Sequence, residues 1–252
     1  MPLAALLFRL RPLVLAGVCL AVAAAHAAAD GLPDTNASGV FLNAAGDVLT
    51  ARHAVSDCRS LFAVKGGQVS QATVVAASPE LDLAVLRTTL KPYLHATFAL
   101  ADAASGHSVG VFAEAYAVLQ HLPGRATLLS NAMTVPGVDG LQLLSGVKPG
   151  ASGSAVLGAD GLLLGVVVER VAAAPHAQGS VLSRAASSAA GTVAGMPPGM
   201  GATQVRAVPV SQVREFLRAH DIAFAQSGRP QLSPMQSPAA RASTLSVGVL
   251  CG

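Results

Sequence analysis

Ser38-Gly-Val-Phe-Leu-Asn-Ala-Ala-Gly-Asp-Val-Leu-Thr-Ala-Arg-His-Ala-Val55 sets the pattern for the whole chain. Two short runs, Gly39 to Leu42 and Asp47 to Thr50, flank the turn Asn43-Ala-Ala-Gly46. Each run is of strand length, and neither has the i, i+3, i+4 apolar spacing of a helix. The second run ends on His53, which follows Ala51 and Arg52.

Working outward, the same unit recurs. Ser60 to Val64, the turn Lys65-Gly-Gly67, Gln71 to Val75 and Leu83 to Leu86 complete a first set of strands. A second set runs through Ser108 to Phe112, Ala126 to Leu129, Gly140 to Leu144, Ala155 to Leu157 and Leu162 to Val168. Turn residues at intervals of about 8–12 residues predict an all-β barrel or sandwich. Thr88 to Gly106, containing Pro92, reads as the crossing between the sets. One helix is predicted over 211–220, with Ser211 as N-cap and Val213, Phe216 and Leu217 on its apolar face. The Ala/Ser/Gly/Pro-rich segment 172–203 and the tail 226–252 lack such periodicity up to Arg241; both are expected to be mobile. The tail is expected to end in a strand, Ser243 to Leu250.

Residues 1–29 read as a secretory signal peptide: Arg9 and Arg11, an apolar stretch from Pro12 to Ala25, then small residues before cleavage after Ala29. The apolar run is shorter than the ~20 residues a membrane span needs, so no stable membrane insertion is expected after cleavage. The chain is expected to be exported, periplasmic or secreted. Without Arg9 and Arg11 the net charge of +3 falls to 14 basic against 13 acidic residues. That balance, with no basic run, gives no reason to expect nucleic acid as a partner. The 223 residues left after cleavage suit one domain, expected over 30–225. Cys58 and Cys251 survive cleavage, and an even pair in an exported chain reads as one disulfide.

Three segments carry chemistry: Leu49 to Val55 around His53, Ser78 to Leu86 around Asp82, and Lys148 to Val156 around Ser152. A serine hydroxyl is a poor nucleophile until an imidazole can take its proton. The imidazole needs the right tautomer, which a carboxylate on its other nitrogen supplies. Asp82 stands alone among Leu81, Leu83, Ala84 and Val85, an environment in which a carboxylate needs hydrogen bonds. Gly150 gives the turn before Ser152 the freedom to aim the N–H groups of Gly150 and Ser152 at one point, as an oxyanion hole requires. The remaining histidines show no metal-ligand spacing, and no phosphate loop or dinucleotide fingerprint occurs; neither metal nor cofactor is expected.

Thr50-Ala-Arg-His53, Asp82-Leu-Ala-Val-Leu86 and Gly150-Ala-Ser152-Gly-Ser154, in that order, resemble the trypsin/chymotrypsin-like serine proteases. The Asp82 segment is similar to that of the bacterial Deg/HtrA-type branch, and no PDZ module is expected to follow. The resemblance implies two antiparallel six-stranded β-barrels, about 38–90 and 106–208, with a C-terminal helix and the active site between the barrels. It implies a serine-type endopeptidase acting on proteins or peptides, with His53 as general base, Asp82 orienting it and Ser152 as nucleophile. It implies that Val166, Val167 and Val168 align the substrate. Ser154 and Ala151 depart from the commoner residues of that motif. A lipase elbow, Gly-x-Ser-x-Gly, fails at Ser154. The alternative is an inactive homologue that binds proteins or peptides on the same barrels.

Overall fold

A computed structural model describes residues 35–104, 108–112, 129–135, 140–145, 147, 150–171 and 203–252. The expected signal peptide, 1–29, and all but the last residue of the insert expected to be mobile, 172–203, lie outside these residues.

The fold is all-β, and fifteen strands are described. The first sheet draws on β1 (Thr35–Phe41), β2 (Val48–Ala51), β3 (Leu61–Lys65), β4 (Gln68–Gln71), β5 (Thr73–Ser78) and β6 (Leu83–Arg87). The crossing segment holds β7 (Thr97–Ala99). Then come β8 (Ser108–Phe112), β9 (Leu129–Thr134), β10 (Leu141–Ser145), β11 (Ala155–Leu157), β12 (Leu163–Val171) and β13 (Thr203–Pro209). Helix α1 (Val210–Ala219), β14 (Ala225–Ser227), helix α2 (Pro238–Leu245) and β15 (Ser246–Cys251) complete the order.

The second sheet closes into the expected six-stranded barrel, β11-β8-β9-β10-β13-β12, with β12 pairing back onto β11. Strands β7 and β14 extend it in parallel beyond β12. The first sheet differs in detail from a six-stranded barrel. It is a half-barrel of seven strands, β4-β3-β15-β1-β2-β6-β5. The seventh strand comes from the far C-terminus, and β15 runs antiparallel to both neighbours.

Alternation explains why several strands read as unbroken apolar runs. In β6, Leu83 and Val85 face the layer between the sheets, while Ala84 and Leu86 face the half-barrel interior. In β12, Val166 and Val168 face the inter-sheet layer and Val167 the closed-barrel interior. A strand buried on both faces needs apolar residues at every position. The layer between the sheets is therefore a true core, joined by Phe98, by Phe216 and Leu217 of α1, and by Leu245 of α2.

Helix α1 buries Val213, Phe216 and Leu217 as the periodicity predicts. Its cap is different. Pro209 is the N-cap residue, and Ser211 lies inside the first turn. Asp102 does the capping instead, accepting from Ser211 N–H at 2.8 Å and from its hydroxyl at 2.7 Å. A carboxylate there also meets the positive end of the helix dipole.

The tail 226–252, expected to be mobile before its final strand, carries helix α2 as well as strand β15. Ser237 caps α2, accepting from Ala240 N–H at 3.1 Å, and Pro238 occupies the first turn. This pairing of cap and proline suits a helix start. Ser243, Thr244 and Leu245 consequently end the helix, and the strand begins only at Ser246. Arg241 is 4% exposed and donates from Nε to the Gly161 carbonyl at 2.9 Å. Desolvation holds its pKa below the usual arginine range. The expected disulfide joins Cys58 to Cys251 across a sequence separation of 193, with Cα atoms 5.2 Å apart.

Candidate active site

The three predicted side chains meet where the two sheets face each other. His53 does not end a strand. It sits in a single 3-10 turn, Arg52–Ala54, that follows β2 directly. Asp82 precedes β6 and is one of three non-glycine residues with positive φ among the described residues, at 54°. Aspartate tolerates this left-handed conformation better than most residues. The turn before it is fixed locally: Ser78 Oγ accepts from Leu81 N–H at 3.2 Å, and the Asp82 carbonyl accepts from Arg52 N–H at 2.9 Å. These bonds swing the Asp82 side chain off the strand axis toward His53.

Both carboxylate oxygens are engaged. Oδ1 accepts from the His53 backbone N–H at 2.9 Å, and Oδ2 lies 2.6 Å from Nδ1 of the ring. Two anchors from one carboxylate fix the ring's position and its plane. The other ring nitrogen, Nε2, lies 3.0 Å from Ser152 Oγ. Asp82 is less buried than its apolar neighbours suggest, since its side chain is 21% exposed beside a 48% exposed His53. The next carboxylate along, Glu80, is held below its usual pKa by its own backbone N–H first and then by the Ser78 hydroxyl.

Ser152 stands in a tight turn between Gly150, at φ 91°, and Gly153, at φ 83°. Ser154 N–H closes the turn onto the Ala151 carbonyl at 2.9 Å. A Cβ on Gly153 would overlap the Ser38 carbonyl oxygen and Thr50 Oγ1, so glycine is required here for space as well as for φ. Among the described residues, neither the Gly150 N–H nor the Ser152 N–H donates a hydrogen bond. Both are left available for an anionic oxygen.

The strand expected to align substrate needs correcting. Val166 is paired on both sides, with Ala155 of β11 and Val208 of β13. Val167 gives its carbonyl to Gly153 N–H at 2.7 Å and its N–H to the Ser154 carbonyl at 2.9 Å. Their backbones are therefore occupied by the fold. Val168 is the extra residue of a bulge between Val167 and Glu169, where ladder pairing is interrupted. Among the described residues, the edge of β12 that pairs with β11 is unpaired from Val168 onward.

Two residues that sequence reasoning missed support the turn. Ser38 donates from its N–H to the Ser152 carbonyl at 2.8 Å and from its hydroxyl to the Gly150 carbonyl at 3.1 Å. Thr50 donates its hydroxyl to the Ser38 carbonyl at 2.7 Å. The available signal was faint: Ser38 stands just before the apolar run Gly39 to Leu42, in a strand that already holds Thr35 and Asn36. Among the described residues, no group of three or more His, Cys, Asp or Glu is placed to hold a metal. Nor is any described helix long and apolar enough to cross a membrane.

Closed barrel, half-barrel and a His–Asp–Ser arrangement between them define a serine-type peptidase domain. Residues 37–166 match the family model of the trypsin-like peptidase domain, and the chain belongs to that family. It is 27% identical over 146 residues to a curated but uncharacterized Sinorhizobium fredii protein, y4bJ, covering 56% of this chain and 23% of that one. The chain thus spans about a quarter of that relative's length. Among solved structures it is similar to the active form of the Rv3671c protease of M. tuberculosis. There the TM-score is 0.52 and identity 17%, with 78% of each chain covered. It is also similar to a serine endoprotease of Yersinia pestis, at TM-score 0.51 and 18% identity, covering 74% of this chain and 58% of that one. At such identities the likeness concerns the fold.

Proposed function

We propose that the chain is an exported serine endopeptidase that hydrolyses peptide bonds in proteins or peptides through an acyl-enzyme. The observation that carries this reading is the unbroken relay from Asp82 through His53 to Ser152, at 2.6 and 3.0 Å. His53 Nε2 takes the proton as Ser152 Oγ attacks the scissile carbonyl carbon. Asp82 keeps Nδ1 protonated, so that Nε2 is the acceptor, and stabilises the imidazolium that forms. The carbonyl oxygen becomes an anion that the N–H groups of Gly150 and Ser152 receive. The imidazolium then protonates the leaving amine, the C–N bond breaks, and a water activated by His53 hydrolyses the ester. An extended substrate adds to β12 from Val168 onward, by main-chain pairing.

Export is the second part of the reading. The signal-like residues 1–29 and the Cys58–Cys251 bond both support it, since disulfides persist in oxidising compartments. Sequencing the exported protein should find Asp30 as its first residue; retention of the full chain in the cytosol would reject export.

The enzymatic claim is tested by a fluorophosphonate probe on the mature protein. Wild type should label, and Ser152→Ala should not. Absence of labelling in the wild type would favour the inactive, peptide-binding alternative.

A further inference from the structure

We infer that Ser38 is a positioning residue for this reaction, its N–H and its hydroxyl together clamping the turn that forms the oxyanion site. The inference rests on the reading of Ser152 as nucleophile. It begins from a residue that does not suit its surroundings. Ser38 is fully buried. By strand alternation it shares a face of β1 with Val40, which belongs to the apolar layer between the sheets. A hydroxyl in such a layer is unfavourable unless it is bonded.

The bond it makes crosses from one sheet to the other. The Ser38 hydroxyl donates to the Gly150 carbonyl at 3.1 Å, and its N–H donates to the Ser152 carbonyl at 2.8 Å. These two carbonyls bracket the Ala151–Ser152 peptide, whose N–H is one of the two oxyanion donors. The Gly150 N–H, the other donor, lies on the residue whose carbonyl the hydroxyl holds.

Gly150 is the weak point of this turn. At φ 91° it occupies a conformation that glycine enters and leaves without a Cβ penalty. Nothing intrinsic to the residue keeps its peptide planes aimed. The Ser38 hydroxyl supplies the external restraint, from a strand that is itself held on both sides by β15 and β2. Thr50 fixes Ser38 in turn, by donating to its carbonyl at 2.7 Å. In this way the sheet that carries His53 also sets the geometry of the turn that carries Ser152.

The test replaces one oxygen. Ser38→Ala keeps the backbone bond to Ser152 and removes the hold on Gly150. Losing an entire oxyanion donor lowers kcat about 10²–10³-fold. Misaiming one should lower it by a smaller factor, about 10- to 100-fold, with KM within about twofold. Affinity for a peptide boronic acid, a mimic of the tetrahedral intermediate, should fall in parallel. Thr88→Val is the control, because Thr88 is a buried hydroxyl bonded to the Gly46 carbonyl at 2.7 Å, remote from the site. It should lower the melting temperature similarly and leave kcat and KM unchanged. Ser38→Ala kinetics that match the control would overturn the inference. If the wild type neither labels nor hydrolyses, the peptidase reading fails separately. The clamp is then judged on glycine-labelled protein, where the Gly150 carbonyl-carbon resonance should move in Ser38→Ala, and an unmoved resonance overturns it.

Discussion

Breaking the Cys58–Cys251 bond should cost about 5 kcal/mol of stability. The figure comes from the length of chain the bond closes: at a sequence separation of 193, the chain-entropy relation gives about 5 kcal/mol at 25 °C. Domains are commonly stable by only about 5–15 kcal/mol. The perturbation therefore removes a third or more of the total. With a urea slope near 2–3 kcal/mol per molar, the midpoint should fall by about 2 M. The assay is equilibrium urea unfolding of the protein oxidised, reduced, and as Cys58→Ser/Cys251→Ser. Reduced wild type and double variant should coincide. Kinetics then separate two origins of the effect. A restraint on the unfolded chain slows refolding once it is lost and leaves unfolding unchanged. A bond that merely pins β15 in place would instead, once lost, speed unfolding. A midpoint shift worth less than about 1 kcal/mol, or an effect confined to the unfolding rate, would refute this reasoning.

Three further outcomes follow from the site. Asp82→Asn leaves the shape intact but presents the wrong partner to His53 Nδ1, so kcat should fall by about 10⁴ with little change in KM, read from steady-state hydrolysis of a peptide substrate. Gly153→Ala forces a Cβ onto the Ser38 carbonyl at positive φ and should destabilise by about 3 kcal/mol or more, with loss of probe labelling; normal melting and labelling would contradict it. Ser154→Ala removes a buried hydroxyl that has no hydrogen-bond partner among the described residues. It should raise stability by about 1 kcal/mol, or about 2–4 °C in Tm; a fall in Tm would mean the hydroxyl is bonded after all.

What the sequence made legible was whatever depends on local pattern. His53, Asp82 and Ser152 stood out because each is a polar residue beside a short strand, and their order and intervals narrow the possibilities. The apolar face of α1 was legible for the same reason. The misreadings share a different cause. Asp102 caps α1 from a distant segment, so Ser211, the local candidate, looked right and was not. Helix α2 lies in Ala/Ser/Pro-rich text resembling a linker, and it is stabilised by burying Ala242 and Leu245 against distant strands. Val166 and Val167 matched a substrate-aligning strand by position, but only the ladder and the nucleophile turn reveal that their backbones are already taken. Ser38 carried no chemical signature of its own; its partners in the nucleophile turn, Gly150 and Ser152, are more than a hundred residues away.

The central place of β15 bears on when the molecule can fold. Thr35 pairs with Cys251, so the ladder between the first and last strands is among the least local contacts a chain of this length can make. Such contacts form slowly, because loop closure precedes any gain from pairing. Until residues 246–251 arrive, β1 and β3 each lack their shared neighbour and present an open edge. Open edges invite pairing with other chains. A growing chain can close the barrel that carries Ser152 first. The half-barrel that carries His53 and Asp82 would wait for residues 246–251, and until they pair it would be the part of the molecule most open to association with other chains.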